Sequence, residues 1–197
     1  MLDSPTIYGF VGSCLISRFD EPAPIPEFHK ELWEMCCSDE DRIAIAAPRG
    51  HSKSTSITLS YLLATILFRE NDHAMIVSDT EKQAIQFLGD LKIELTENDD
   101  IHALFEKIEL EKDTETEIIG RFKDGSRFRI TARGSEQKLR GAKWRNKRPN
   151  LIICDDLEND EIVMNKERRE KFRHWFFKAL LPSLSDNGRI IAVSYTH

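Results

Sequence analysis

The sequence predicts an α/β fold built on a mostly parallel central sheet flanked by helices. Three observations carry this. Short apolar runs alternate with longer helix-periodic segments along the whole chain. One of those runs, Leu151 to Cys154, is apolar at every position, the pattern of a strand covered on both faces. A turn ending in Lys53-Ser54-Thr55 joins a strand-like run to a helix-like one, which puts polar chemistry at the carboxyl end of a strand, where sheets of this class bind ligands.

The elements follow in order. EPAPIP at 21–26 is proline-rich and extended, so residues 1–27 read as an extended lead-in to one domain spanning 28–197. In EFHKELWEMC, Phe28, Leu32, Met35 and Cys36 mark one face of an amphipathic helix. RIAIAAP at 42–48 is a buried strand stopped by a proline, and 54–70, long and free of Gly and Pro, is a buried helix. A strand at 73–79 leads to a helix at 80–98 with a Thr cap and an acidic first turn, then a short helix over IHALFEK. Two alternating strands between 117 and 133 meet at Asp124-Gly125, a hairpin signal. NLIICDD at 150–156 is a strand closed by acids, 163–184 is an amphipathic helix, and 188–196 is a last strand.

A chain of 197 residues with 40% apolar content can bury one substantial core. Its net charge of -6 argues against a coat protein for nucleic acid. The four cysteines, Cys14, Cys36, Cys37 and Cys154, lack CxxC or zinc spacing, which fits a reducing compartment. No apolar run approaches the ~20 residues of a membrane span, and there is no basic-then-apolar leader, so no membrane partner is expected.

AAPRGHSKST at 46–55 has the strand-loop-helix setting and the Lys-Ser ending of a phosphate-binding loop, G-x-x-x-x-G-K-[ST]. Ala47 and Ser52 stand in the glycine slots. Serine at 52 is compatible with function if its backbone avoids positive φ. A second half-site comes from Asp155 and Asp156, because adjacent carboxylates at the tip of an apolar strand are costly unless a cation or a proton uses them. That strand is expected beside the loop, with Asp155 reaching magnesium and a following acid polarising the attacking water. The plain alternatives are an ordinary polar turn at 46–55 and acids that only cap the next segment.

With both elements in hand, the chain resembles the ATPase domain of the large terminase subunit, the DNA-packaging motor of tailed bacteriophages, with a P-loop NTPase fold. APRGHSKST is similar to that family's variant loop, RPNLIICDDLEND to its acidic strand, AVSYTH to the start of its coupling motif, and RGSEQKLRGAKWRNKRPN to the segment before the acidic strand. The resemblance implies ATP and Mg2+ as cofactors. The loop residues Pro48, Arg49, Gly50, His51, Ser52, Lys53, Ser54 and Thr55 would enclose the nucleotide, Lys53 on the phosphates and Arg49 sensing the γ-phosphate. Ser54 and Asp155 would hold the metal, and Asp156 or Glu158 would orient the water, Asp156 favoured for adjacency. Arg140 matches an arginine presented to a neighbouring subunit's ATP, with a solvated or DNA-contacting role as its alternative. Phe28 and His29 would stack on adenine, unless Phe28 is simply a helix core residue, and Ser194, Tyr195 and Thr196 would couple nucleotide state to movement.

The implied function is ATP hydrolysis in a homo-oligomeric ring that moves double-stranded DNA into a procapsid in the host cytoplasm, with portal protein and small terminase subunit as partners. Full-length members add a nuclease domain, which this chain is expected to lack. A helicase-type motor, or a non-catalytic nucleic-acid-binding or ring-assembly module with a degenerate nucleotide site, stands as the alternative. Between Arg121 and Arg148 lie eleven Lys or Arg against two acids, Asp124 and Glu136. Lys138, Lys143, Arg145, Lys147 and Arg148 are therefore candidates for contact with DNA or with an acidic neighbouring subunit. Trp144, Trp175 and Phe176 read as packing residues.

Overall fold

The computed structural model describes the chain except residues 1, 20, 21, 49, 138, 140, 141, 158–163, 196 and 197. Its centre is a seven-stranded sheet in the order β1-β7-β6-β2-β5-β4-β3. The strands are β1 (Arg42–Ala47), β2 (His73–Ser78), β3 (Glu109–Asp113), β4 (Glu117–Arg121), β5 (Arg127–Gly134), β6 (Leu151–Asp155) and β7 (Arg189–Tyr195). From β1 through β7, β6 and β2 to β5 all pairings are parallel, while β4 and β3 add an antiparallel margin. Strands β2 and β6 sit inside the sheet and every one of their residues is buried, as their apolar runs require.

Helices α1 (Ser4–Cys14), α2 (Glu27–Cys36), α3 (Leu62–Leu67), α4 (Glu81–Glu97) and α5 (Asp99–Phe105) close one core, which includes Ile7, Trp33, Leu63, Ile76, Leu88 and Ile153. Helix α6 (Lys166–Trp175) runs through a π-helical turn, Phe176–Leu180, and covers the other face with Phe172, Trp175, Leu180 and Leu184. Each such aliphatic or aromatic side chain, once buried, contributes about 1.5–3 kcal/mol. Trp175 is a packing residue as expected, its indole N–H donating to the Gln137 carbonyl at 3.1 Å.

Several sequence expectations change. Residues 4–14 form a helix capped by Asp3, whose carboxylate accepts from Thr6 N–H at 2.9 Å, so the lead-in is not extended throughout. On α2 Leu32 and Cys36 are buried and Phe28 packs on the core as expected, but Trp33 takes the inward place foreseen for Met35, which is 42% exposed. Strand β1 lies at the margin of the sheet and alternates between exposed and buried residues instead of being covered on both faces.

The largest correction concerns the basic hairpin. Strand β3, which sequence periodicity did not indicate, lies along β4 and supplies carboxylates to it. Arg121 pairs with Glu109 at 2.5 Å, Arg127 with Glu111 at 2.6 Å, Lys123 with Glu106 at 3.0 Å and Arg129 with Glu117 at 2.8 Å. The local excess of positive charge on the hairpin is thus answered inside the molecule, because the acids sit just outside the window that was counted.

Gly120 on β4 lies against the buried ring of Phe128, and a Cβ there would fall 2.2 Å from the ring's Cζ. Gly120→Ala is therefore expected to destabilise the fold by about 1–3 kcal/mol through overpacking, read as a lower urea midpoint.

Candidate nucleotide-binding site

The loop after β1 turns into a helix at Lys53 and Ser54, which then widens into a π-helical turn, Thr55–Tyr61, before α3. Such turns recur at functional sites because the extra residue redirects side chains. Helix α2 holds this turn in place, with Trp33 Nε1–H donating to Ser56 O at 2.9 Å and the Tyr61 hydroxyl donating to Cys36 O at 3.1 Å.

Asp155 ends β6, and β6 is not the sheet neighbour of β1. Strand β7 lies between them, pairing Val193 with both Ile45 and Asp155. The two half-sites still meet, because the helix leaving the loop crosses that gap. Thr58 Oγ1 donates to Asp155 Oδ2 at 2.5 Å, with both residues buried. Burial pushes the Asp155 carboxyl above its ordinary pKa, and the hydroxyls of Thr58 and Ser54 and the charge of Lys53 pull the other way. Thr58 had escaped the sequence reading; its only signal was a position four residues beyond Ser54 on a helix.

Lys53 is 4% exposed and its ammonium donates to the carbonyls of Ala47 and Pro48, at 2.6 and 2.7 Å. Ser52 adopts φ 50°, and Gly50 adopts φ 81°. Position 52 therefore does not meet the condition under which serine was compatible with function, and serine there carries the strain that glycine would relieve. Asp156 also has positive φ, 56°, its N–H donating to Val193 O at 3.0 Å and its carbonyl accepting from Asp79 N–H at 3.2 Å. Arg49, Glu158, Arg140, Lys138 and Thr196 lie outside the described residues.

His29 Nε2 lies 3.0 Å from His51 O, which ties α2 to the loop. Phe28 meets the His51 ring edge-on at 5.5 Å. Beside the loop is a cavity of about 330 Å³ lined by Pro24, Ile25, Pro26, His29, Trp33 and Thr55, among others. Its size and apolar walls suit a planar base. His29 is among its lining residues, whereas Phe28 packs against His51 and the core; the proline-rich segment and Trp33 were not foreseen as walls. Ser194 and Tyr195 pair in register with Ala46 and Ala47, so β7 ends directly beside the loop.

The oxygen donors gathered here, the Asp155 carboxylate and the Ser54 hydroxyl, fit magnesium, a hard cation that takes few protein ligands and keeps water or phosphate for the rest.

The candidate basic contacts sit elsewhere. Residues 142–150 run toward the amino end of β6, with Asn150 N–H donating to His73 O at 2.9 Å, whereas the phosphate loop is at the carboxyl ends. Trp144 and Lys147 exchange backbone hydrogen bonds around Arg145 and Asn146, both at positive φ, in a tight hairpin turn. Lys147 pairs with Asp72 at 3.3 Å and Arg145 lies 5.7 Å from the Trp144 ring. Lys143 and Arg148 make no ion pair among the described residues and line a separate groove.

Two outcomes are expected. Ser52→Gly relieves a left-handed serine at about 1–2 kcal/mol, less about 0.5–1 kcal/mol of added chain entropy, so it should unfold at slightly higher denaturant than the parent. Asp155→Asn should raise the melting temperature at neutral pH. Because burial raises the folded-state pKa of Asp155, its contribution to stability is largest below the unfolded-state pKa and is lost as pH rises through the folded value. The advantage of the Asn variant should accordingly shrink as melting is repeated at falling pH.

No protein-family model matches this sequence, and no curated protein matches it. Among solved structures, the chain is similar to a mutant of the large terminase ATPase domain of Thermus phage P74-26, with TM-score 0.60 and 15% identity over 86% of this chain and 65% of that one. It is also similar to the large terminase of bacteriophage HK97, with TM-score 0.64 and 16% identity over 98% of this chain and 38% of that one. The chain therefore spans just under two thirds of the Thermus phage domain and well under half of the HK97 protein. At these identities the likeness is one of fold: the chain has the mostly parallel, helix-flanked P-loop NTPase fold of large terminase ATPase domains.

Proposed function

We propose that this chain is the ATPase motor domain of a viral terminase large subunit, hydrolysing ATP with magnesium to drive double-stranded DNA into a procapsid. The observation that carries the proposal is the meeting of Asp155 with Thr58 and Ser54 beneath a loop that also presents Lys53. The terminase fold supports it, and so does the base-sized cavity on the loop's flank.

In this reading the Lys53 ammonium leaves the carbonyls of Ala47 and Pro48 and takes the β- and γ-phosphate oxygens, while loop amides from Gly50 onward surround the phosphates. Ser54 and Asp155 would hold magnesium, with Thr58 orienting the Asp155 carboxylate. Bound magnesium supplies charge neutralisation at the transferred phosphoryl group. Asp156, or Glu158 beyond it, orients the attacking water, Arg49 senses the γ-phosphate, and Arg140 offsets the developing charge from a neighbouring subunit. His29 and the adjoining walls take the base. Ser194 and Tyr195, beside the loop, together with Thr196, couple nucleotide state to movement in a homo-oligomeric ring. The small terminase subunit and the portal are the expected partners in the host cytoplasm.

A second reading has two observations in its favour: the strained Ser52 and the self-bonded Lys53 both suit a degenerate nucleotide site in a non-catalytic ring-assembly or nucleic-acid-binding module. Lys53→Ala separates the two. A motor ATPase should lose magnesium-dependent ATP turnover by about 100-fold or more while melting near the parent temperature. Turnover unchanged by that substitution would leave the non-catalytic module, and stimulation by single-stranded instead of duplex DNA would favour a helicase-type motor.

A further inference from the structure

A groove of about 560 Å³, sharing no lining residue with the phosphate loop, lies between described residues of the stretch from Glu136 to Arg148 and the helical segment that follows α6. Its lining is two-toned. Leu139, Trp175 and Pro182 contribute apolar surface, and Lys143, Arg148 and Lys178 contribute three exposed cations. None of the three forms an ion pair among the described residues. Glu136, the acid at the groove, is already occupied by Lys171 at 2.7 Å. A row of phosphates is sequence-blind and hydrophilic and would leave this apolar floor uncovered. An apolar side chain set among carboxylates fills both tones at once.

The same chain presents such a surface. Around the corner from α2 into β1, Glu31, Glu34, Asp39, Glu40 and Asp41 are all exposed, and none of them forms an ion pair among the described residues. Met35, 42% exposed, stands among them. Glu31 and Met35 are four apart on α2 and so share a face, which places an unbranched, adaptable side chain next to negative charge. The corner lies at the β1 margin of the sheet, whereas the groove lies across β6 and β2 on the opposite layer, so one molecule cannot close the contact on itself.

We infer that the groove receives the α2–β1 corner of a second copy of this chain, with Met35 on the Leu139, Trp175 and Pro182 floor and the acidic corner facing Lys143, Arg148 and Lys178. The contact is heterologous, one surface meeting a different one, so it propagates from copy to copy in a ring or a filament. Opposed charge gives it orientation and salt sensitivity. The inference specifies the homo-oligomeric partner of the proposed motor, yet it stands on groove and corner alone and does not depend on ATP turnover.

Sedimentation velocity of the 197-residue chain across concentration and salt tests it. The parent should self-associate, more weakly as salt rises. Lys143→Glu with Lys178→Glu, and separately Glu34→Lys with Glu40→Lys, should each weaken association at least tenfold while melting near the parent temperature. Mixed together, the two variants should form a complex that stops at two chains, because each retains one intact surface. A parent that stays monomeric, a variant pair that associates like the parent, or a mixture that stays apart would overturn the inference. So would a groove variant that loses duplex DNA yet still self-associates, which would make the groove a nucleic-acid face. Loss of turnover in Lys53→Ala bears only on the enzymatic reading.

Discussion

The short hydrogen bond from Thr58 to Asp155 is the constraint around which the functional end of this molecule is arranged. A carboxylate at the end of a fully buried strand is unfavourable unless donors or a cation meet it. Here the donors come from a helix that begins two strands away, so satisfying one acid fixes how that helix lies over β7. The phosphate loop, which is the start of the same helix, is positioned as a by-product. Burial of Trp33 and its bond to Ser56 O secure the turn from the other side. Stability and site geometry are therefore the same problem in this part of the fold.

Much of that arrangement was legible in the residues. The parallel core of the sheet followed from apolar runs such as Leu151 to Cys154, whose burial on both faces leaves no room for polar alternation. Asp124-Gly125 marked its hairpin, with Gly125 at φ 84°. Lys53, Ser54 and Asp155, expected to share one ligand, lie together at the loop, where the Ser54 hydroxyl and the Lys53 charge both act on the Asp155 carboxyl. What escaped had no local signature. Strand β3 reads ELEKD, with almost nothing to bury, and it forms because β4 offers it an edge and arginines to pair with. Helix α1 contains a proline near its start and two glycines, Gly9 and Gly12, and is held by tertiary burial of Ile7, Phe10 and Cys14 in place of strong propensity.

The order of strands was likewise out of reach. Nothing in GRIIAVSYT says that β7 inserts between β1 and β6, since either neighbour would satisfy its apolar side chains. That insertion matters chemically. It moves Asp155 one strand away from the loop, and the start of the following helix brings the hydroxyls of Ser54 and Thr58 across to it. At Ser52 the sequence yielded only a condition on the backbone, because φ is set by the path the loop must take and not by the side chain it carries.

The ladder of opposite charges along β3 and its partners has a further meaning for the free chain in solution. A terminal strand offers unsatisfied amides and carbonyls to any passing polypeptide, and flat apolar terminal strands invite stacking into fibres. Glu109, Glu111 and Lys112 make this one hydrophilic, and its register slips between Leu110 and Lys112, which bends the repeat a foreign strand would need to match. At that border the molecule resists uncontrolled lateral growth, which leaves side-chain recognition, instead of backbone annealing, to decide what it joins.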